Sequence, residues 1–244
     1  MNLVKILMEL VPRPSIRYVN EIVSLTKELV DCYDIPESPL GIPSVNSIST
    51  GVYIKAVTGK PVVSHIRLYD VNRVALLSLA YAAYTYGVDG VVLTHGDKPV
   101  NSIIVNELNT EKAIKVLRKE IPKLRIGAII SLRYPFEKII RRIGIGADFF
   151  LVIRLDTSNF DKYLKILNVA EKEGVKLYPY VIIATEKNKS VLEKLQQPYL
   201  RLEELKEFFL KYSMYLHGVV VSVPLDEKNM VKALTIIRES LDHS

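Results

Sequence analysis

Apolar and polar positions fall into blocks along the chain, and the blocks alternate between two periods. Residues 3–11 form a nearly continuous apolar run, interrupted by Lys5 and Glu9 and stopped by Pro12 and Pro14. A short run bounded by breakers predicts a buried strand. Ser15 then stands at an N-cap position, ahead of Ile16, Val19, Val23, Thr26 and Val30 on one helical face. The stretch 33–43 contains Pro36, Pro39 and Pro43. Its start predicts a short strand and its remainder no regular structure, because prolines remove donors and restrict their neighbours. A helix follows over 44–58, closed by Gly59.

The same unit then recurs. Strands are predicted over 61–68, 90–94, 124–131, 149–155, 176–183 and 218–223. Helices are predicted over 71–86, 111–120, 135–143, 159–173 and 227–241, with helical material over 190–215 broken at Pro198. Strands alternating with helices predict a parallel sheet covered by helices. Eight such units in 244 residues match the size of a closed barrel, about 250 residues. The expected fold is therefore α/β, a (β/α)8 TIM barrel forming a single domain over 1–244. An open doubly-wound sheet is the alternative, but no Gly-x-Gly-x-x-Gly follows the first strand.

Composition narrows the class. With 49% hydrophobic and 25% charged residues, the chain fills a core and solvates a surface, which excludes disordered and fibrous classes. Cys32 is the only cysteine, so neither an intramolecular disulfide nor a zinc site built on several thiolates is available. The net charge of +6 suits anionic ligands as well as nucleic acid. The basic residues are spread over helices rather than gathered with aromatics, so no nucleic acid partner is expected. No run approaches the roughly 20 apolar residues of a membrane helix, and the head of the chain lacks a cleavage site. A cytoplasmic protein with no membrane partner is expected. Gln196 and Gln197 are the only glutamines while Lys, Glu, Ile, Val and Tyr abound, the bias of a heat-loving organism.

In a barrel the reactive groups sit at the C-terminal ends of strands. The first strand offers Glu9, and the third offers His65 and Arg67, two apart and so on one side. After the fourth come Thr94, His95, Gly96 and Asp97; the sixth ends with Arg154 and Asp156. Glu9, His65 and Asp97 are expected to converge on one mouth. Each has a bland alternative: a solvated carboxylate, a hydrogen-bonded core histidine, ordinary turn chemistry, or arginines balancing internal acids. No set of residues has metal-ligand spacing, and neither a Gly-x-Ser-x-Gly nor a phosphate loop is present.

At these residues the chain resembles the methylenetetrahydrofolate reductase family of flavin-containing barrels. Glu9-Leu10-Val11-Pro12-Arg13 is similar to the family's Glu-Phe-Phe-Pro-Pro, whose glutamate is the catalytic acid. Pro36-Glu37-Ser38-Pro39-Leu40-Gly41 resembles a Thr-Asp-Asn-Pro-x-Gly segment. The run from His65 to Arg73 resembles His-Leu-Thr-Cys-Arg-Asp-Arg-Asn, in which the histidine lies against the flavin. Leu93-Thr94-His95-Gly96-Asp97-Lys98-Pro99 resembles Leu-Thr-Gly-Asp-Pro-Pro, whose aspartate sits beside the flavin ring. Gly146-Ala147-Asp148-Phe149-Phe150 is similar to the start of the strand-six motif, Gly218 to Pro224 to the final strand, and Arg142 falls where a phosphate-binding lysine is usual.

The resemblance implies an oxidoreductase of one-carbon metabolism. Hydride would pass from NADH or NADPH through FAD, with FMN as the alternative, to a methylene-tetrahydrofolate or modified pterin. Glu9 would be the general acid and Asp97 the flavin-tuning catalytic residue. His65, Thr94, His95, Gly96, Asp97 and Arg142 would hold the cofactor, and Arg67 and Arg154 the pterin. Besides Pro36 in place of a family threonine, two departures accompany it: the family's strand-six Thr-Gln falls on Val152-Ile153, and the 100–110 loop is short. They motivate a second expectation, a relative inactive alone. It would be either dependent on an electron-donating subunit or a pterin-binding methyl-transfer protein without flavin. A homo-oligomer is compatible with either.

Overall fold

The computed structural model describes residues 4–242. Eight parallel strands close into a ring: β1 (Lys5–Glu9), β2 (Cys32–Ile35), β3 (Val62–Arg67), β4 (Gly90–Thr94), β5 (Ile126–Ser131), β6 (Phe149–Ile153), β7 (Lys176–Ala184) and β9 (Gly218–Ser222). Each pairs with the next, β6 with β7, β7 with β9, and β9 with β1. A two-residue strand, β8 (Leu200–Arg201), lies outside the ring against the end of β7. The expected (β/α)8 barrel of one domain is what forms.

The helices around the ring are α1 (Ile16–Thr26), α2 (Ser47–Thr58), α3 (Arg73–Thr85), α4 (Thr110–Glu120), α5 (Phe136–Ile143), α6 (Phe160–Lys172), α7 (Lys189–Leu195), α8 (Leu205–Tyr212) and α9 (Glu227–Asp242). The starts of α1, α2, α3 and α4 follow from side-chain caps. Ser15, Asn46, Asn72 and Asn109 each accept a hydrogen bond from a backbone N–H of the first turn. On α1, Val19, Ile22, Val23 and Thr26 are buried, the face the 3.6-residue period specifies. None of the helices is long and apolar enough to cross a membrane among the described residues.

Boundaries differ from the sequence pattern where a competing cap intervenes. The helix expected from Ser44 starts at Ser47, because Asn46 caps it and the Glu37 carboxylate accepts from the Ser47 N–H at 2.7 Å. The helical stretch expected over 190–215 is two helices with β8 between them, since Gln196 turns left-handed (φ 48°) ahead of Pro198. The first strand spans Lys5–Glu9, and Leu3, where the sequence pattern starts it, lies outside the described residues.

Two apolar cores result. The larger lies between the ring and its helices. The smaller fills the barrel with Leu7, Cys32, Val63, Val92, Phe149, Leu151, Tyr178 and Val220. Because side chains alternate along a strand, the interior position two residues further on opens toward the C-terminal mouth. From Leu7, Cys32, Val63, Tyr178 and Val220 that step lands on Glu9, Asp34, His65, Tyr180 and Ser222. The sheet thus carries five polar side chains on top of an apolar plug.

Candidate functional site

Glu9, His65, Tyr180 and Ser222 line the floor of a cavity of about 1340 Å³, with Asp34 buried directly beneath as the partner of His65 and Tyr180. Register places Glu9 on β1 beside Asp34 on β2. Asp34 is fully buried and receives two bonds: its Oδ1 meets Nε2 of His65 at 2.9 Å, and its Oδ2 accepts from the Tyr180 hydroxyl at 2.9 Å. The Ser222 hydroxyl donates to Oε2 of Glu9. Burial without a matched partner is costly for charge, so the network's protonation is set by what each member can share.

The directions follow. Burial pushes the Glu9 carboxyl above the usual carboxylate range, and the neighbouring Asp34 charge pushes the same way; the Ser222 bond, His65 and Tyr180 only partly oppose this. Burial works against a charged His65, yet the Asp34 carboxylate and its hydrogen bond outweigh it and hold the imidazole above 6.5. Tyr180 is driven well above 10 by burial and by the Asp34 and Glu9 charges, so it stays a hydroxyl donor. The floor therefore holds a carboxyl of raised pKa beside a histidine–aspartate pair, a pattern suited to acid–base chemistry.

Of the residues singled out in the sequence, Glu9, His65, Arg67, Thr94, His95, Gly96, Asp97, Arg142 and Arg154 line this cavity, whereas Asp156 accepts from the Ser158 and Asn159 N–H groups as a local cap. Only Glu9 and His65 belong to the floor network. The expected convergence of Glu9, His65 and Asp97 holds for the cavity, but Asp97 sits on its rim and its carboxylate accepts from the Leu40 N–H at 3.0 Å. Thr94 accepts from the Gly96 N–H at 3.2 Å. His95 packs its ring on Tyr69, centroids 5.3 Å apart, and burial and the Arg142 cation lower its pKa.

The three arginines have partners within the chain. Arg67, 2% exposed, grips Asp70 through Nε at 2.7 Å and a terminal nitrogen at 3.1 Å, and donates to the Ser38 carbonyl at 2.7 Å. Arg142 donates to the Ile129 carbonyl at 2.7 Å and pairs with Glu111 at 3.1 Å. Arg154 turns left-handed (φ 70°) at the end of β6 and donates to the Gln196 carbonyl, while its Nε is buried without a partner. Such a conformation costs about 1–3 kcal/mol in a residue with a Cβ, and such sites cluster where function demands them.

Two loops are clamped together at the rim. Gly41, at φ 72°, passes so close to the 97–100 segment that a Cβ would stand 2.0 Å from the Lys98 carbonyl oxygen. Its own carbonyl accepts from Val100 at 2.9 Å. Gly96, at φ 77°, leaves room for the Arg67 side chain, whose Cγ would lie 2.9 Å from an added Cβ. Gly41→Ala is expected to cost ~2 kcal/mol through left-handed strain and this contact. A denaturant midpoint lowered with the slope unchanged is the signature to look for.

Sequence reasoning missed Asp34, Tyr180 and Ser222. The signal was present as the step of two from an interior apolar residue. The Pro-rich stretch after β2 obscured Asp34, and Tyr180 counted as apolar. Among the described residues no group of three or more His, Cys, Asp or Glu is placed to hold a metal.

No protein-family model and no curated protein sequence matches the chain. Its shape is similar to KGPDC from Streptococcus mutans, with a TM-score of 0.61, 12% identity and coverage of 99% of this chain and 98% of that one. It is also similar to 3-keto-L-gulonate-6-phosphate decarboxylase from Vibrio cholerae (0.62, 10%, 99% and 98%). Tryptophan synthase from M. tuberculosis is a third (0.63, 11%, 98% and 90%). At such identities the likeness shows the barrel alone.

The resemblance to methylenetetrahydrofolate reductases is corrected by these findings. No family model supports it, and the similar barrels named here are decarboxylases and a synthase, not flavin reductases. The flavin-dependent oxidoreductase, its pterin reaction and the inactive or methyl-transfer relative fall with it. The physical reason lies in the motifs. Gly96 and Asp97 serve loop packing, and Arg67 and Arg142 are held by Asp70 and Glu111.

Proposed function

We propose that the chain is an acid–base enzyme of the lyase or isomerase kind, moving a proton at carbon beside a carbonyl in an anionic small molecule. The observation that carries this is the Glu9 carboxyl, its pKa raised at the cavity floor and bonded to Ser222, next to Tyr180 and the Asp34–His65 pair. A carboxyl of raised pKa is a stronger base than a free carboxylate and returns the proton it takes, and carbanion or enolate character is favoured where hydroxyl donors and a histidine stand by.

Charge supports the anionic substrate. Arg133, Lys138, Arg141 and Lys194 line one side of the cavity, and none of the four pairs with an acid of the chain among the described residues. Arg133 also presses on Arg154, whose pKa is lowered first by burial and then by that cation. Cations crowded without counter-ions raise the local concentration of an anion and steer it inward. The N-terminus of α9, by contrast, carries Asp226 and Glu227. A ligand phosphate at the usual place after the last barrel strands would meet acids there, so the anion is held across the mouth from it. The decarboxylase neighbour is named for a keto-sugar phosphate, a compound of the class this reading requires.

The side chains that the reductase resemblance assigned to a flavin are engaged within the chain, so no step here runs through FAD, FMN or NAD(P)H. The visible absorption of the purified protein with added FAD or FMN reads that expectation directly.

The test is hydrogen exchange. Incubated in D2O with a panel of phosphorylated keto sugars and 2-oxo acids, the protein is expected to wash deuterium into, or cleave, at least one of them by NMR. Arg133→Ala with Lys138→Ala should weaken that reaction about tenfold and remove most of its salt dependence. Binding of such compounds with no exchange or cleavage by the parent protein would sink the proposal.

A further inference from the structure

Outside the cavity, the outer face of α3 is unusually apolar. Between Arg73 and Thr85 this helix carries no charged residue at all, and Arg73 itself pairs with Glu120 at 3.1 Å. Val74, Tyr81 and Tyr84 stand 72%, 45% and 46% exposed, and Tyr86 beyond the helix is 65% exposed. Positions 74, 81 and 84, with half-buried Leu77, fall on one stripe at helical spacing. Ala75, Ser78 and Ala82 beside them are small enough to let another helix approach. The adjacent α2 adds exposed Val57, and its single charge, Lys55, is spent on Asp89 at 2.8 Å.

A helix apolar all round belongs in an interior. The other face of α3 already packs on the barrel through Leu76, Ala80 and Ala83, so the exposed one lacks only a partner. The five exposed side chains offer roughly 500 Å², a patch of the size that marks an interaction site. With the half-buried rows beside them it approaches the ~800 Å² per partner of a stable interface. Tyrosine-rich and charge-depleted composition is that of an interface centre.

We propose that this face joins two copies of the chain in a two-fold dimer, α3 against α3. Charge selects the occupant. Each copy carries a net +6, so like chains repel unless they meet on a surface without free charge, and the α2–α3 face is such a surface. An acidic or basic partner would find no ion to pair with there. A two-fold contact is self-complementary, so one stripe of tyrosines beside small residues supplies both halves.

Sedimentation velocity on the full chain tests this. The parent is expected at twice the 27.7 kDa chain mass across the micromolar range, and Tyr81→Glu with Tyr84→Glu at the single-chain mass with an unchanged circular dichroism spectrum. Ser78→Lys, an exposed change that leaves the aromatic residues in place, should likewise abolish the dimer. A parent monomeric throughout that range overturns the proposal, as does a dimer that survives Ser78→Lys.

Discussion

Glu9→Gln is expected to lower the rate of proton transfer by about 10²–10⁴-fold, the range over which a positioned acid or base acts. The substitution is close to isosteric. The glutamine carbonyl still accepts from Ser222, and its amide can donate toward Asp34 or Tyr180, so the network keeps its shape while losing its mobile proton. A second readout separates the acid from a packing role. A carboxyl whose pKa is raised by folding holds its proton more tightly in the native state. The native state therefore loses stability as pH rises above about 4.5, the ordinary carboxyl value, and the loss is complete above the folded pKa. His65 acts in the same sense: its contribution is present below 6.5 and is lost as pH rises through its raised folded value. Denaturant unfolding of the parent protein should thus show stability declining from mildly acidic to alkaline pH. In Glu9→Gln the carboxyl part of that slope disappears, and the variant gains on the parent as pH increases. A variant with an unchanged slope and unchanged exchange rate would remove Glu9 from the chemistry.

Asp34→Ala carries the largest expected cost to the fold, about 3–5 kcal/mol, the price of removing one partner from a buried ionic pair. Asp34 binds both His65 and Tyr180, at 2.9 Å each. Without it the buried His65 and the half-buried Tyr180 lose the acceptor they share. The histidine reports the change directly. Burial is the largest influence on His65 and lowers its pKa; the Asp34 carboxylate reverses that. Take the carboxylate away and burial governs, so the imidazole pKa should move from above 6.5 to below it in an NMR titration. Asp34→Asn should lie between, since its carbonyl can serve one of the two donors. A His65 titration that does not move would show that the pair is not the source of the shift.

How much of this was legible in the chain can be judged element by element. Strand β4 begins and ends at Gly90 and Thr94 in both pattern and structure, because its apolar run has a breaker on either side. Ser15 was readable as a cap, and its hydroxyl accepts from the Tyr18 N–H. The start of α2 was not readable to within three residues, since Glu37, ten positions upstream, shares the capping. The reductase resemblance rested on short strings at strand ends. Those strings are also what a barrel loop needs for itself: a glycine where Arg67 crowds the backbone, and an aspartate where the Leu40 N–H needs an acceptor. Local turn chemistry and ligand binding draw on the same few residue types, so a string alone cannot separate them.

The sequence by itself determined the alternation of eight strands with helices, the single barrel domain, and the strand-end positions at which Glu9 and His65 stand. Those follow from hydrophobic period and from breakers, which act over a few residues. Only the tertiary structure decided which charges are free. It paired Arg67 with Asp70, and Arg142 with Glu111. It left Arg133, Lys138, Arg141 and Lys194 lining the cavity with no ion-pair partner among the described residues, and it joined Asp34 to His65 and Tyr180, and Ser222 to Glu9 beside them. Asp34 and Tyr180 are 146 residues apart. Ring closure brings them within hydrogen-bond distance, and a pKa depends on what lies within a few ångströms in space rather than on what is near in the chain.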